Sequence, residues 1–150
     1  MVLMNLFHAP IWLYKIGRMG RPEDRHTKEE RYEYIAKMDK RIIRRGRVDL
    51  VCTGADLIPK RDGFIMFPNH QGLFDVLALF STCPKALSVV IKKEASGWIL
   101  VKQVLGATGS LAMDRKDMKD QVRIIGEVTR LVKEGRNFVI FAEGHRSRKG

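Results

Sequence analysis

Residues 110–141 read SLAMDRKDMKDQVRIIGEVTRLVKEGRNFVIF, and no other segment says as much about the architecture. Residues 110–113 read as a short strand. Residues 117–134 read as a long helix, with Val122, Ile125, Val128, Thr129 and Val132 near helical spacing and Gly135 as its stop. Residues 137–141 read as a second buried strand. Working outward, residues 86–91 and 64–68 are further apolar runs of strand length. Residues 97–105, rich in Trp, Ile, Leu and Val, and residues 75–80 read as helices. Residues 48–53 read as one more strand, cut off from 64–68 by the turn-rich Ile58-Pro59-Lys60-Arg61-Asp62-Gly63. Strands alternating with helices predict an α/β fold: a mixed, largely parallel sheet flanked by helices.

Composition narrows the class. The chain has 150 residues, enough for one ordinary domain, and its 45% hydrophobic and 30% charged content fits a core-forming chain rather than a disordered one. No run of about 20 uncharged apolar residues exists to span a bilayer as a conventional helix. Cys52 and Cys83 are too few for a disulfide framework or, unaided, a zinc site, which fits a reducing compartment. The 28 Lys plus Arg exceed the 17 Asp plus Glu by 11. Such an excess implies an anionic partner: nucleic acid, anionic lipid or a phosphorylated small molecule. Residues 15–47 hold 12 basic and 6 acidic residues, so this stretch alone carries +6 of the +11.

The basic stretch follows an apolar opening, MVLMNLFHAPIWLYKI. That opening lacks the leading positive charge and the small-residue cleavage site of a secretory signal, and it is too short to cross a bilayer as a helix. It suits an interfacial anchor with Trp12 and Tyr14 at headgroup depth, or, more plainly, a helix packed on the protein's own core. Thr27 and Glu30 then form a capping-box pattern. In the helix that follows, Tyr34, Ile35, Met38 and Ile42 fall in one stripe, while Lys37, Lys40, Arg44 and Arg47 gather on another side and Gly46 marks the end. Periodicity alone allows either a headgroup-binding helix or a surface helix with a solvated charged face. The neighbouring apolar segment favours the membrane. The expected division is a membrane-associating segment over residues 1–47 and a catalytic domain over 48–150.

Three stretches place polar residues just after an apolar strand, where an α/β sheet builds its site. They are Pro68-Asn69-His70-Gln71-Gly72-Leu73-Phe74-Asp75, Gly109-Ser110-Leu111-Ala112-Met113-Asp114-Arg115 and Phe141-Ala142-Glu143-Gly144-His145-Arg146-Ser147. His70 and Asp75 are five residues apart, which is 140° around an ideal helix. They meet only if His70 sits in the turn before the helix and Asp75 in its first turn, with Gly72 permitting the tight geometry. The helix N-terminus disfavours imidazolium, and a carboxylate on the other ring nitrogen favours it and fixes the tautomer, which makes a plausible general base. A loop-capping His beside an unrelated Asp is the plainer alternative. In the third stretch Arg146 suits a phosphate grip, against the alternative of an exposed basic loop. Arg115 and Arg146 make one anion pocket if their strands are neighbours.

Asn69-His70-x4-Asp75, Gly109…Asp114-Arg115 and Phe141-x-Glu143-Gly144-x-Arg146-Ser147 resemble, in order and approximate spacing, the glycerolipid acyltransferases of the 1-acyl-glycerol-3-phosphate branch. The similarity spans roughly residue 48 to the C-terminus. It implies transfer of a fatty acyl group from a CoA or acyl-carrier-protein thioester to the free hydroxyl of lysophosphatidic acid, with no metal and no resident cofactor. By this resemblance His70 is the base and Asp75 its orienting partner, the catalytic pair. Asn69, Arg115, Glu143, Gly144, Arg146 and Ser147 bind substrate. It also implies a peripheral or monotopic position on the cytoplasmic face of the cell membrane. Two residues depart from the pattern: Ala142 stands where the family has Pro, and His145 where it has Thr. Family members also continue past the position of Gly150 through further strands and a fourth motif, so the chain is expected to be a fragment.

Two other classes are weighed. A nucleic-acid-binding module would use the +11, but the basic helix has no helix-turn-helix partner and no strand carries interleaved surface aromatics. A metal hydrolase built on His70, Asp75, Glu143 and His145 lacks a compact ligand signature such as His-Glu-x-x-His. Another lysophospholipid or glycerol-phosphate acyltransferase remains the nearest variant of the favoured class.

Overall fold

A computed structural model describes residues 9–69 and 72–141. The described residues open with helix α1 (Ala9–Met19), where Pro10 sits in the first turn and costs no helical hydrogen bond. Trp12, Ile16 and Met19 recur at helical spacing and are buried. Helix α2 (Lys28–Arg45) starts at the capping box that Thr27 and Glu30 encode. Thr27 Oγ1 accepts from Glu30 N at 3.2 Å, and Glu30 Oε2 accepts from Thr27 N at 2.7 Å. The helix ends at Arg45 with Gly46 as its cap residue, where the sequence puts the stop; Gly46 is right-handed, and Arg47 takes the left-handed conformation at φ 54°. Helices α3 (Leu73–Thr82), α4 (Ile99–Thr108) and α5 (Met118–Lys133) match the three later apolar segments.

Among the described residues four strands form the sheet: β1 (Ile65–Met66), β2 (Leu87–Lys92), β3 (Leu111–Met113) and β4 (Asn137–Ile140). Their order is β1-β4-β2-β3, and every ladder among the described residues is parallel, which corrects the expected mixed sheet. Register pairs Ile65 with Phe138, Val89 with Val139 and Val90 with Leu111. Alternation sends Val90, Phe138 and Ile140 to one face, against Ile124, Val128 and Leu131 of α5. Leu87, Val89, Val139 and Phe141 face the other way, where they share one core with Trp12 and Ile16 of α1, Ile35 and Met38 of α2, Phe80 of α3 and Ala107 of α4. Among the described residues this makes three layers, with α5 alone on one side of the sheet.

Buried Asn137 ties three strand starts together. Its Oδ1 accepts from Gly63 N at 2.8 Å, and its Nδ2 donates to Asp62 Oδ1 at 2.9 Å and Ala86 O at 3.1 Å. Residues 48–53 are not a strand. Val51 is 85% exposed and its neighbours Leu50, Cys52 and Thr53 are exposed too, so no half-buried surface exists for their β-favouring side chains to fit.

The apolar opening also resolves differently from an anchor with both aromatics in the headgroups. Trp12 is buried in the core, whereas Tyr14 on the same helix is exposed. In α2 the buried residues are Tyr32, Ile35, Met38, Asp39 and Ile43, with Tyr34 and Ile42 partly covered. The apolar stripe therefore packs on the protein, and Lys37, Lys40, Arg44 and Arg47 stay exposed. No helix among the described residues is long and apolar enough to cross a membrane.

Candidate active site at the carboxyl edge of the sheet

In a parallel sheet all strands deliver their following residues to one edge, and here the described residues of the three polar stretches follow β1, β3 and β4 toward it. β1 leads to Pro68 and Asn69, the latter exposed, and β4 leads to Phe141. Because β1 and β4 are neighbours, the chain segments of the first and third stretches leave the sheet side by side. His70, Glu143, Gly144, Arg146 and Ser147, with the departures Ala142 and His145, lie outside the described residues.

Asp75 occupies the first turn of α3, the position a partnership with His70 requires. Its Oδ2 accepts from Gly72 N at 3.0 Å, so the carboxylate folds back over the helix start and satisfies one of the open backbone donors there. Gly72 itself is fully extended, at φ −178°, and a side chain there would meet no described atom within 4 Å. The turn thus does not draw on glycine's special conformations, contrary to the expected need for Gly72. What it uses is the backbone N–H that Asp75 caps.

Arg115 follows β3, and β3 is not a neighbour of β4: β2 lies between them. The condition for an immediately adjacent pair of arginine-bearing strands is not met. The separation is two strand spacings, about 10 Å. The strand between ends in Lys92 and leads into Lys93, both exposed. Lys93 Nζ reaches Asp114 Oδ2 at 3.3 Å. Cationic residues therefore continue from Arg115 across the end of β2 toward the end of β4. The sequence offered a signal for this, since two lysines directly follow the apolar run 86–91, but only the strand order gives it meaning.

The loop carrying Arg115 is fastened on three sides. Asp114 N donates to Asp120 Oδ2 at 2.7 Å, Lys116 N donates to Asp114 Oδ1 at 3.0 Å, and Gln121 Nε2 donates to Arg115 O at 2.9 Å. The Lys116 amide, helped by Lys93, holds the Asp114 carboxyl below the usual carboxylate range. The Asp114 amide, then Arg123, does the same for Asp120. Gly109 enters this segment left-handed at φ 62°, and a Cβ there would clash with the Arg136 guanidinium. Gln121 and Asp120 were not singled out from the sequence, because a surface helix start with a carboxylate and an amide is commonplace. A small cavity of about 20 Å³, bordered by Tyr32, Leu87 and Asn137, lies at the opposite edge, where the strands begin, and takes no part in this arrangement.

Comparison with known proteins identifies the family. The profile of the family described as Acyltransferase matches residues 49–150, which includes all three polar stretches. A 1-acyl-sn-glycerol-3-phosphate acyltransferase of Borreliella burgdorferi is 26% identical over 103 residues, 69% of this chain and 41% of that protein. A protein of the same name from Helicobacter pylori is 32% identical over 82 residues, 55% of this chain and 35% of its own length. The chain thus spans well under half the length of these curated relatives. No solved structure matches it. A family match over more than half its length, on a chain with a parallel α/β sheet, means that the chain belongs to the acyltransferase family.

Proposed function

We propose that the protein moves a fatty acyl group from a thioester donor, acyl-CoA or acyl carrier protein, to the free hydroxyl of 1-acyl-sn-glycerol-3-phosphate. The product is phosphatidic acid, made at the cytoplasmic face of the membrane for phospholipid biosynthesis. One observation carries most weight: the His70 and Glu143–Ser147 segments follow two adjacent parallel strands, with Asp75 capped in the first turn of the helix between.

The chemistry asks little of the protein beyond positioning. A thioester is already activated, so no protein nucleophile is needed and neither cysteine has a catalytic task. His70 takes the acceptor hydroxyl's proton as the oxygen attacks the thioester carbonyl, and the proton passes on to the departing thiolate. Asp75, anchored by Gly72 N–H, orients the imidazole. Backbone N–H groups at the start of α3 face the oxyanion that forms. Arg115 and Arg146 hold the acceptor's phosphate from two sides across the end of β2, with Asn69, Glu143, Gly144 and Ser147 shaping the pocket.

Supplying labelled acyl-CoA or acyl carrier protein with lysophosphatidic acid to the full-length protein tests this. Labelled phosphatidic acid is the expected product, and Arg115→Ala raises KM for the acceptor more than it lowers kcat. Equal rates with an acceptor lacking the phosphate would remove the arginine clamp. No transfer from either donor would remove the function.

A further inference from the structure

We infer that the outer face of α5 is the docking surface for an acidic carrier protein that presents the acyl thioester. This helix has two apolar stripes rather than one. Ile124, Val128 and Leu131 face the sheet and are buried. Met118, Val122 and Ile125 recur at helical spacing beside them and are 71%, 66% and 59% exposed. Exposed Gly126 and Thr129 continue this second stripe, and a side chain at Gly126 would meet no described atom within 4 Å. An ordinary surface helix turns a polar face outward. Three large apolar side chains along about 10 Å of exposed helix instead mark a contact face.

Charge identifies the partner. Lys116, Lys119 and Arg123 flank the stripe where α5 begins, and all three are exposed. The carboxylates at that end are already engaged. Asp117 caps the helix by accepting from Lys119 N at 2.9 Å, and Asp120 accepts from Asp114 N and from Arg123. Farther along, Glu127 and Glu134 both pair with Arg130. The cationic excess is therefore greatest at the end next to Arg115. An apolar strip with a cationic rim complements an amphipathic, acidic helix. A second copy, paired antiparallel, would instead bring Arg130 and Lys133 of its own α5 toward Lys119 and Arg123. CoA has no apolar face with which to cover the three side chains. A bilayer fits less well too, because the stripe holds no Trp or Tyr for the headgroup boundary. It also runs back from the carboxyl edge to the start of β4, alongside the lipid's point of entry rather than across it.

The position suits delivery. Only Lys116 and Asp117 separate Arg115 from the start of α5. From β3 to β1, whose end leads to His70, is three strand spacings, about 14 Å. A thioester on an extended arm crosses that distance while its carrier stays on α5. The inference rests on the acyltransferase reading and deepens it by selecting the carrier-borne donor over CoA, but a binding measurement decides it without any turnover.

The test titrates fluorescently labelled palmitoyl acyl carrier protein with the full-length protein and follows anisotropy. Transfer assays with palmitoyl acyl carrier protein and with palmitoyl-CoA run beside it. Val122→Ser/Ile125→Ser and Lys119→Glu should each weaken carrier binding roughly tenfold. KM for the carrier-borne donor should rise by a similar factor, with kcat/KM for palmitoyl-CoA unchanged. All three positions are exposed, and a carboxylate suits the first turn of α5, so both variants keep the fold. Binding by the parent protein should also weaken as salt is added. Parental affinity in both variants, or no carrier binding by the parent, overturns the inference. So does an equal loss with both donors, which would place the effect in the catalytic edge. A dimer lost in the serine variant, without carrier binding, would assign the stripe to a second copy, and variant-sensitive binding to anionic vesicles alone would assign it to a bilayer. Carrier binding lost in the variants, with no acyl transfer from either donor, would keep the docking surface and remove the acyltransferase reading.

Discussion

Asp39 offers a sharp test of how α2 is packed. It lies between Ile35 and Ile43 on the buried stripe, is 2% exposed, and its Oδ1 accepts no hydrogen bond among the described residues. Burial pushes its carboxyl up to about 8 from an ordinary 3.8. The unfolded chain releases this proton near pH 4, whereas the folded chain keeps it until near pH 8. Across that window the folded state binds the extra proton, so stability falls as pH rises, by about 1.4 kcal/mol per pH unit. By pH 7 the accumulated loss is about 4 kcal/mol. Asp39→Asn has no proton to lose. Urea unfolding of both proteins at pH 5, 6, 7 and 8 should show the variant gaining on the parent at each step and levelling off above 8. Asp62, Asp114, Asp120 and Glu127 are held below the carboxylate range in both proteins alike, so their contribution cancels in the comparison. The histidines are common to both proteins and cancel. Parallel stability curves for the two proteins would mean that Asp39 is solvated, and that α2 does not pack as described.

Other substitutions probe the framework. Asn137→Ala removes the hydrogen bonds that join the starts of β1, β2 and β4 and should cost about 2–4 kcal/mol in chemical denaturation. The same change should raise the Asp62 pKa in an NMR titration, because Asn137 is the largest cause of its depression, ahead of Lys85. Gly20→Ala pushes a methyl within 3.1 Å of the Gly106 backbone and should destabilise by about 1–3 kcal/mol, lowering the thermal midpoint by separating α1 from α4. Arg47→Gly relieves a left-handed residue at the end of α2 and should stabilise by about 0.5–1 kcal/mol in urea unfolding.

Much of the layer order was legible because the later segments are short apolar runs bounded by turn residues. The helix before Gly135 and the strand after it follow directly from periodicity and punctuation. Residues 48–53 misled for a physical reason: Val and Thr favour a strand only when a neighbouring surface receives them, and sequence does not show neighbours. The same gap misassigned Trp12. An amphipathic helix declares that it has an apolar face, and α1 in fact divides its apolar residues between core and solvent, which only packing against α4 reveals. For the site, the placement of Asp75 in a helical first turn could be worked out from spacing. The distance between the Arg115 and Arg146 strands could not, because strand order depends on crossovers that leave no local mark. Lys93 acquires significance only once β2 is known to lie between β3 and β4.

Acyl transfer by full-length His70→Ala protein, beside the unchanged protein, bears most directly on the carboxyl edge as a catalytic centre. Phosphatidic acid formation from lysophosphatidic acid and an acyl thioester should fall by about 10²–10⁴-fold with circular dichroism and thermal midpoint unaltered, the loss expected for a positioned general base. Turnover at the parental rate would contradict it, and would take both His70 and the capped Asp75 out of the chemistry.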